Sequence, residues 1–123
     1  MITKEKYFED IDKLISKISF KFDCIVVPKR SGLIIGSIFS YYFGKQIYIS
    51  SEVSNIPNKF KRVLVLDDKC RNGKTIRKII SRLNSKLCSS AVLYKEGYFI
   101  PDYYCEDIGG NVELFYNRKD KNI

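Results

Sequence analysis

The chain has 123 residues, 45% apolar and 14% aromatic, enough for one hydrophobic core and too few for two. Its formal charge of +8, from 22 Lys and Arg against 14 Asp and Glu, suits phosphate-rich ligands or plain solubility, and the lack of histidine excludes any mechanism built on an imidazole. No apolar run approaches the roughly 18 residues of a membrane span, and the charged N-terminus lacks the apolar stretch of a signal peptide. A cytoplasmic protein with no membrane partner is expected.

Residues 4–18 carry Tyr7, Phe8, Ile11, Leu14, Ile15 and Ile18 at intervals of three and four, one face of a helix with Thr3 as its cap. Cys24, Ile25, Val26 and Val27 form a short continuous apolar run, the pattern of a strand covered on both faces. Pro28 stops it, residues 29–32 turn, and residues 33–43 resume as an apolar helix ended by Gly44. A second strand is predicted at 46–50, then a polar connector at 51–61 containing Pro57, and a third strand at 62–66. A loop at 67–74 leads into a helix at 75–87 with Ile76, Ile79, Ile80 and Leu83 on one face, and a fourth strand follows at 89–94. The rest, to residue 117, is aromatic and broken by Gly97, Pro101, Gly109 and Gly110, and reads as a small flap; a short basic tail (Arg118, Lys119, Lys121) ends it.

Cys24, Cys70, Cys88 and Cys105 are widely spaced and form no CxxC pair, so a zinc site would have to gather thiolates from four distant segments. Cys24 and Cys88 sit beside apolar runs and read as small core residues. Alternating strands and helices with apolar middle strands call for an α/β fold, a mainly parallel sheet with helices on both faces. Ligands of such sheets bind beyond the carboxyl ends of the strands. The loops after Val27 and Leu66 both open there.

The second of these loops carries the chemistry. Asp67 and Asp68 leave an apolar strand and enter the turn Lys69-Cys70-Arg71-Asn72-Gly73-Lys74-Thr75. Gly73 permits a left-handed backbone, and Thr75 stands at a helix start, where free N–H groups suit an anion. Two carboxylates beside such a nest fit a sugar diol, alone or with a magnesium ion. Gly73-Lys74-Thr75 also matches the end of a P-loop, but the first glycine of that motif would fall on Asp68, whose carboxylate would repel phosphate. The plainer alternative is a helix-capping turn whose acids favour the dipole.

The stretch from Val63, four hydrophobics, two acids, two variable residues and a loop closing on Gly-x-Thr, resembles the ribose-phosphate signature of type I phosphoribosyltransferases. Val27-Pro28-Lys29-Arg30-Ser31-Gly32-Leu33 is similar to the pyrophosphate loop of that family. Pro101-Asp102-Tyr103-Tyr104 with Asn111-Val112-Glu113-Leu114-Phe115-Tyr116 looks like the hood of its purine (hypoxanthine/xanthine-guanine) branch. The resemblance implies a single Rossmann-like domain over residues 1–123, with a core at about 22–95 and a C-terminal hood at about 96–117.

It implies that Asp67 and Asp68 hold the ribose hydroxyls and, mostly through ribose or water, a magnesium ion. Asn72, Gly73, Lys74 and Thr75 would wrap the 5′-phosphate, with Lys69 and Cys70 also counted as substrate-binding. Arg30, Gly32 and the backbone of Lys29 and Ser31 would contact pyrophosphate, Lys95 would read an exocyclic oxygen of the base, and Val112 would offer its backbone to the base edge. The implied reaction moves phosphoribose from 5-phosphoribosyl-1-pyrophosphate (PRPP) to a base nitrogen, and members of the family are commonly dimers or tetramers.

Three departures qualify it. Arg71 stands where purine members carry the aspartate held to be the general base, and it cannot take a proton at neutral pH. As a member of the catalytic set with Asp67 and Asp68 it would pair with a negative charge on the acceptor; otherwise it points to solvent or phosphate. The connector at 51–61 is shorter than the family's mobile loop. Asn111 falls where purine members stack an aromatic, a role that Tyr103, Tyr104, Phe115 or Tyr116 would have to supply if they are not simply core. The alternatives are a non-catalytic PRPP- or nucleotide-binding regulator and, less favoured, a nucleic-acid module, for which no recognition motif is present.

Overall fold

Alternation along the central strands decides the architecture. In β1 (Cys24–Val27) and β3 (Arg62–Cys70), Cys24, Val26, Val63 and Val65 join one buried cluster while Ile25, Val27, Leu64 and Leu66 join another. Side chains of a strand alternate between faces, so a strand apolar at every position needs cover on both. The computed structural model, which describes residues 1–117, supplies that cover. Helices α1 (Lys4–Lys17) and α2 (Leu33–Phe43) bury Tyr7, Ile11, Leu14, Ile35 and Phe39 against one face. Helix α3 (Lys74–Arg82) buries Ile76 and Ile79 against the other.

With β2 (Gln46–Ile49), β4 (Leu87–Lys95) and β5 (Tyr103–Asp107) the strands form one sheet in the order β2-β1-β3-β4-β5, every pair parallel. The chain leaves β1 toward β2 and then returns to place β3 on the other side of β1. The strand order therefore reverses between β1 and β3, and the loops after these two strands part to leave a crevice.

The N-cap of α1 and the C-cap of α2 are the residues expected from the sequence. Thr3 accepts the Lys6 N–H at 3.2 Å, and Gly44 ends α2 at φ 64°. Three expectations change. The third strand runs on to Cys70, so Asp67 and Asp68 lie within it rather than in a loop; β4 reaches Lys95 and supplies ladder partners that outweigh the weak strand propensity of aspartate. Helix α3 starts at Lys74 and ends at Arg82, because Leu83 leaves helical geometry and Lys86 N–H turns back to the Leu83 carbonyl at 2.9 Å. Within the region read as a flap, Tyr103–Asp107 instead joins the main sheet as an edge strand. The following segment then meets the N-terminus, where Ile2 N–H donates to the Glu113 carbonyl at 2.8 Å.

One polar group deep in the core ties α1 to β4. Asp10, 1% exposed, accepts from Lys6 Nζ at 2.8 Å and from the Tyr94 hydroxyl at 2.6 Å. Burial alone would raise its carboxyl, but the hydrogen bonds from Lys6 and Tyr94 hold it below the ordinary range. All four cysteines are free, Cys24 and Cys70 buried, Cys88 and Cys105 half-buried. Among the described residues no helix is long and apolar enough to cross a membrane. The basic tail Arg118, Lys119 and Lys121 lies outside the described residues.

Candidate functional site

The turn after β1 crosses the carboxyl end of β3 and can do so only because it is small. A Cβ on Gly32 would lie 2.6 Å from Val27 Cβ and 3.3 Å from the Leu66 carbonyl oxygen. Arg30 adopts φ 73°, a left-handed conformation that costs a non-glycine residue about 1 kcal/mol or more. That bend turns Ser31 inward, and its Oγ donates to Asp67 Oδ1 at 3.1 Å.

Asp67 Oδ1 also accepts the Asp68 N–H at 2.8 Å. Asp68 is fully buried, and neither of its carboxylate oxygens has a partner. Burial, and then the neighbouring Asp67 charge, push its carboxyl up to about 8. Burial raises Asp67 as well, offset in part by the Asp68 N–H and by Ser31. The third unpartnered atom is the hydroxyl of Tyr7, raised by burial and then by the charges of Asp68 and Asp67. Among the described residues these three atoms are the whole set of buried side-chain polar atoms without a hydrogen bond. Buried polar groups are normally paired, at a cost of about 1–3 kcal/mol when they are not, so these are the atoms that a bound polar group would relieve most.

Beyond Cys70 the backbone becomes an anion nest. Asn72 Oδ1 accepts the Lys74 N–H at 2.9 Å, and Gly73 at φ 74° caps α3. Gly73 is required twice over, since a Cβ there would come within 2.3 Å of the Phe99 ring. The next N–H groups, of Thr75 and Ile76, have no intrahelical acceptor and point where an anion would sit. Thr75 is thus the second residue of the helix rather than its first.

A cleft of about 260 Å³ is lined by Ser31, residues 67–76 and Glu96. It gathers Ser31, Asp67, Asp68, Lys69, Cys70, Arg71, Asn72, Gly73, Lys74 and Thr75 from the predicted set. Lys29, Arg30, Gly32, Lys95 and Val112 stand outside its wall. Lys29 and Arg30 are exposed at the turn, and Arg71 is exposed, its side chain making no hydrogen bond or ion pair among the described residues. The Lys95 ammonium donates to the Gly97 carbonyl and, at 3.2 Å, to Asp107. Val112 is held on both sides, its N–H donating to Glu96 Oε2 at 2.7 Å and its carbonyl accepting from Lys69 Nζ at 2.9 Å.

The aromatics proposed as a stacking cage are packed elsewhere. Phe115 and Tyr116 meet the Tyr7 ring edge-on at 5.3 and 6.0 Å, and the Tyr103 hydroxyl accepts the Phe20 N–H at 3.0 Å. Tyr104 packs into the cluster on the α3 side. Sequence reading missed Glu96, Phe99 and Tyr7. In the sequence Tyr7 is one apolar position on a helix face, and its spacing does not tell which side chains its hydroxyl approaches. Glu96 had a fainter signal, a carboxylate at a strand end followed by the glycine that lets the loop pack on its neighbour.

No family model matches the chain, and no curated protein matches it. Solved structures do. A xanthine-guanine-hypoxanthine phosphoribosyltransferase of Helicobacter pylori superposes with a TM-score of 0.82 at 18% identity, over 98% of this chain and 93% of that one. A purine phosphoribosyltransferase of Pyrococcus horikoshii gives 0.76 at 21% identity, over 96% and 95%. The chain has the type I phosphoribosyltransferase fold. A Neisseria gonorrhoeae hypothetical protein solved with bound ppGpp shares that fold, at a TM-score of 0.78 and 17% identity over 98% of this chain and 89% of that one. In this phosphoribosyltransferase fold the β1–β3 crevice carries the orphaned Asp68 carboxylate.

Asp68 and Asp67 offer oxygens alone, the donor set magnesium prefers, and neither oxygen of Asp68 has a partner among the described residues. No cluster of three or more ligating side chains occurs among the described residues. The two acids therefore fit a magnesium ion that keeps water or substrate oxygens in its remaining positions, as magnesium commonly does.

Proposed function

We propose that this chain transfers the phosphoribosyl group of PRPP to a nitrogen of a small purine-like or anionic base and releases pyrophosphate. One observation carries the reading: a fully buried carboxylate with two unpartnered oxygens, Asp68, stands beside Asp67 at the mouth of a helix-capped anion nest. A ribose 5-phosphate needs that combination, acceptors for its hydroxyls next to N–H groups for its phosphate. Asp67 and Asp68 take the 2′- and 3′-hydroxyls, and the same two acids would hold magnesium. Bound magnesium would supply charge neutralisation at the departing pyrophosphate.

Asn72, Gly73, Lys74 and Thr75 enclose the 5′-phosphate, while Lys69 and Cys70 form the adjoining floor. Arg30 presents, at the exposed turn beside Ser31, a guanidinium with no partner among the described residues, and its planar fork can grip pyrophosphate. The test is a panel of bases, orotate and carboxylated purines included, with PRPP and magnesium. Release of pyrophosphate that depends on one base and on magnesium is expected.

A second reading, a nucleotide- or PRPP-binding protein without turnover, is favoured by Arg71, which puts a permanent cation where a proton acceptor is needed. It predicts that PRPP with magnesium raises the melting temperature while no base in the panel releases pyrophosphate.

A further inference from the structure

The loop that follows β4 is pinned against Arg71. Glu96 N–H donates to the Cys70 carbonyl at 2.7 Å, and Phe99 N–H donates to the Arg71 carbonyl at 3.2 Å. Between them Gly97 lies so close that a Cβ would sit 2.7 Å from the Arg71 carbonyl oxygen and 2.9 Å from Arg71 Cγ. The backbone of Glu96 is therefore fixed over the place where Arg71 begins. Its side chain reaches the cleft and is the third carboxylate there, with Asp67 and Asp68.

The carboxylate is aimed as well as placed. Val112 N–H holds Oε2 at 2.7 Å, whereas Oε1 has no partner among the described residues. Val112 is itself anchored through its carbonyl to Lys69 Nζ at 2.9 Å, so the loop, the hood segment and β3 brace one another around Glu96. Asp67 and Asp68 are buried at the floor, whereas Glu96 is half-exposed on the rim. Of the three acids that line the cleft, Glu96 alone is not buried.

We propose that Glu96 is the proton acceptor for the incoming base, doing from the β4–β5 loop what Arg71 cannot do from the β3 loop. This rests on the transferase reading above. In the step, the acceptor nitrogen forms its bond to the ribose C1′, and the bond from C1′ to the pyrophosphate oxygen breaks with its electron pair leaving on pyrophosphate. The N–H proton of the acceptor passes to Glu96 Oε1. The acceptor class follows: a base whose reacting ring carries an N–H it must lose. Arg71, alongside, offers a cation to negative charge elsewhere on the same base.

The decisive variant is Glu96→Gln. Glutamine keeps an oxygen for the Val112 N–H but cannot take a proton, so a merely structural role predicts little change. With the base that the panel identifies, Glu96→Gln should lower kcat by about 100-fold or more. KM for PRPP and the melting-temperature rise with PRPP and magnesium should stay at wild-type values. Glu96→Asp should restore part of kcat. A Glu96→Gln kcat within about threefold of wild type, well short of the usual acid–base contribution, overturns the assignment and leaves the transferase reading standing. Absence of pyrophosphate release from the wild-type chain with every base overturns both.

Discussion

On one side of the cleft, residues 67–76 include polar groups with no partner among the described residues: both oxygens of the buried Asp68 and the exposed Arg71 side chain, beside the N–H groups that α3 leaves free at its start. On the other side, residues 95–112 have satisfied most of theirs with one another. Lys95 holds Asp107 and Gly97, Glu96 holds the Val112 N–H, and Lys69 reaches across to the Val112 carbonyl. On the first, open side, polar groups without partners gain from a ligand that supplies them. The second, closed side must exchange partners before it can bind. On the transferase reading, residues 67–76 should therefore bind their phosphate firmly and with little rearrangement, and residues 95–112 should bind an acceptor weakly and be easily retuned.

Removing the open carboxylate tests this most severely. Asp68→Asn should lower pyrophosphate release by roughly 10²–10³-fold, the scale of losing one aimed electrostatic group. It should also abolish the melting-temperature rise given by PRPP with magnesium. If that rise survives, the open side is not the ribose-phosphate site.

The same carboxyl gives a signature without ligand. Its folded-state value is raised to about 8, so the folded chain holds a proton that the unfolded chain has released. That contribution to stability is complete below the unfolded value of about 4 and is lost as pH rises through about 8. Urea midpoints of the unliganded chain should fall over that window, and Asp68→Asn should flatten the fall. A midpoint that instead climbs toward pH 8 would place some other group in control.

How much of this contrast could be read from the residues differs between the two sides. The open side was legible because its parts lie in one continuous stretch: an apolar strand, two acids, and a glycine ahead of a helix. Local rules of strand patterning and capping apply directly to such a run. Even there the strand end was misplaced by four residues, because pairing with β4 is a long-range effect that aspartate propensity does not reveal. The closed side joins residues far apart in sequence. Lys69 meets Val112, and Lys95 meets Asp107 only because Tyr103–Asp107 adds to the sheet edge. Spacing alone holds no information about such pairs, so neither the Val112 partner of Glu96 nor the Asp107 partner of Lys95 is legible in it.

Gly73→Ala probes the open side through its backbone. The substitution forces a side chain into φ 74° and against the Phe99 ring, where a Cβ would come within 2.3 Å. Strain and overpacking together should cost about 3 kcal/mol in urea denaturation. The nest should lose its PRPP response at temperatures where the variant is still folded. A cost below about 1 kcal/mol, less than either source of strain normally brings, would mean that the loop and Phe99 part easily and that the nest is not preformed.

The mildest test addresses the closed side. Asp107 is 49% exposed and meets Lys95 at 3.2 Å, a partly solvated ion pair of the kind worth under about 1 kcal/mol. Asp107→Asn should therefore change stability very little. Its value lies in what it does to Lys95, which keeps the Gly97 carbonyl but loses its counter-charge. A lysine that merely clamps the β4–β5 loop will stay on that carbonyl, and KM for the acceptor base will not move. A lysine that reads the base will be released toward the cleft, and KM for the acceptor will shift while KM for PRPP does not. The short reach to Gly97 and the position of Lys95 outside the cleft wall favour the clamp, so an unchanged acceptor KM is the expected result. A shift of about tenfold, some 1.4 kcal/mol, would be too large for a screened surface pair and would make Lys95 part of the acceptor site.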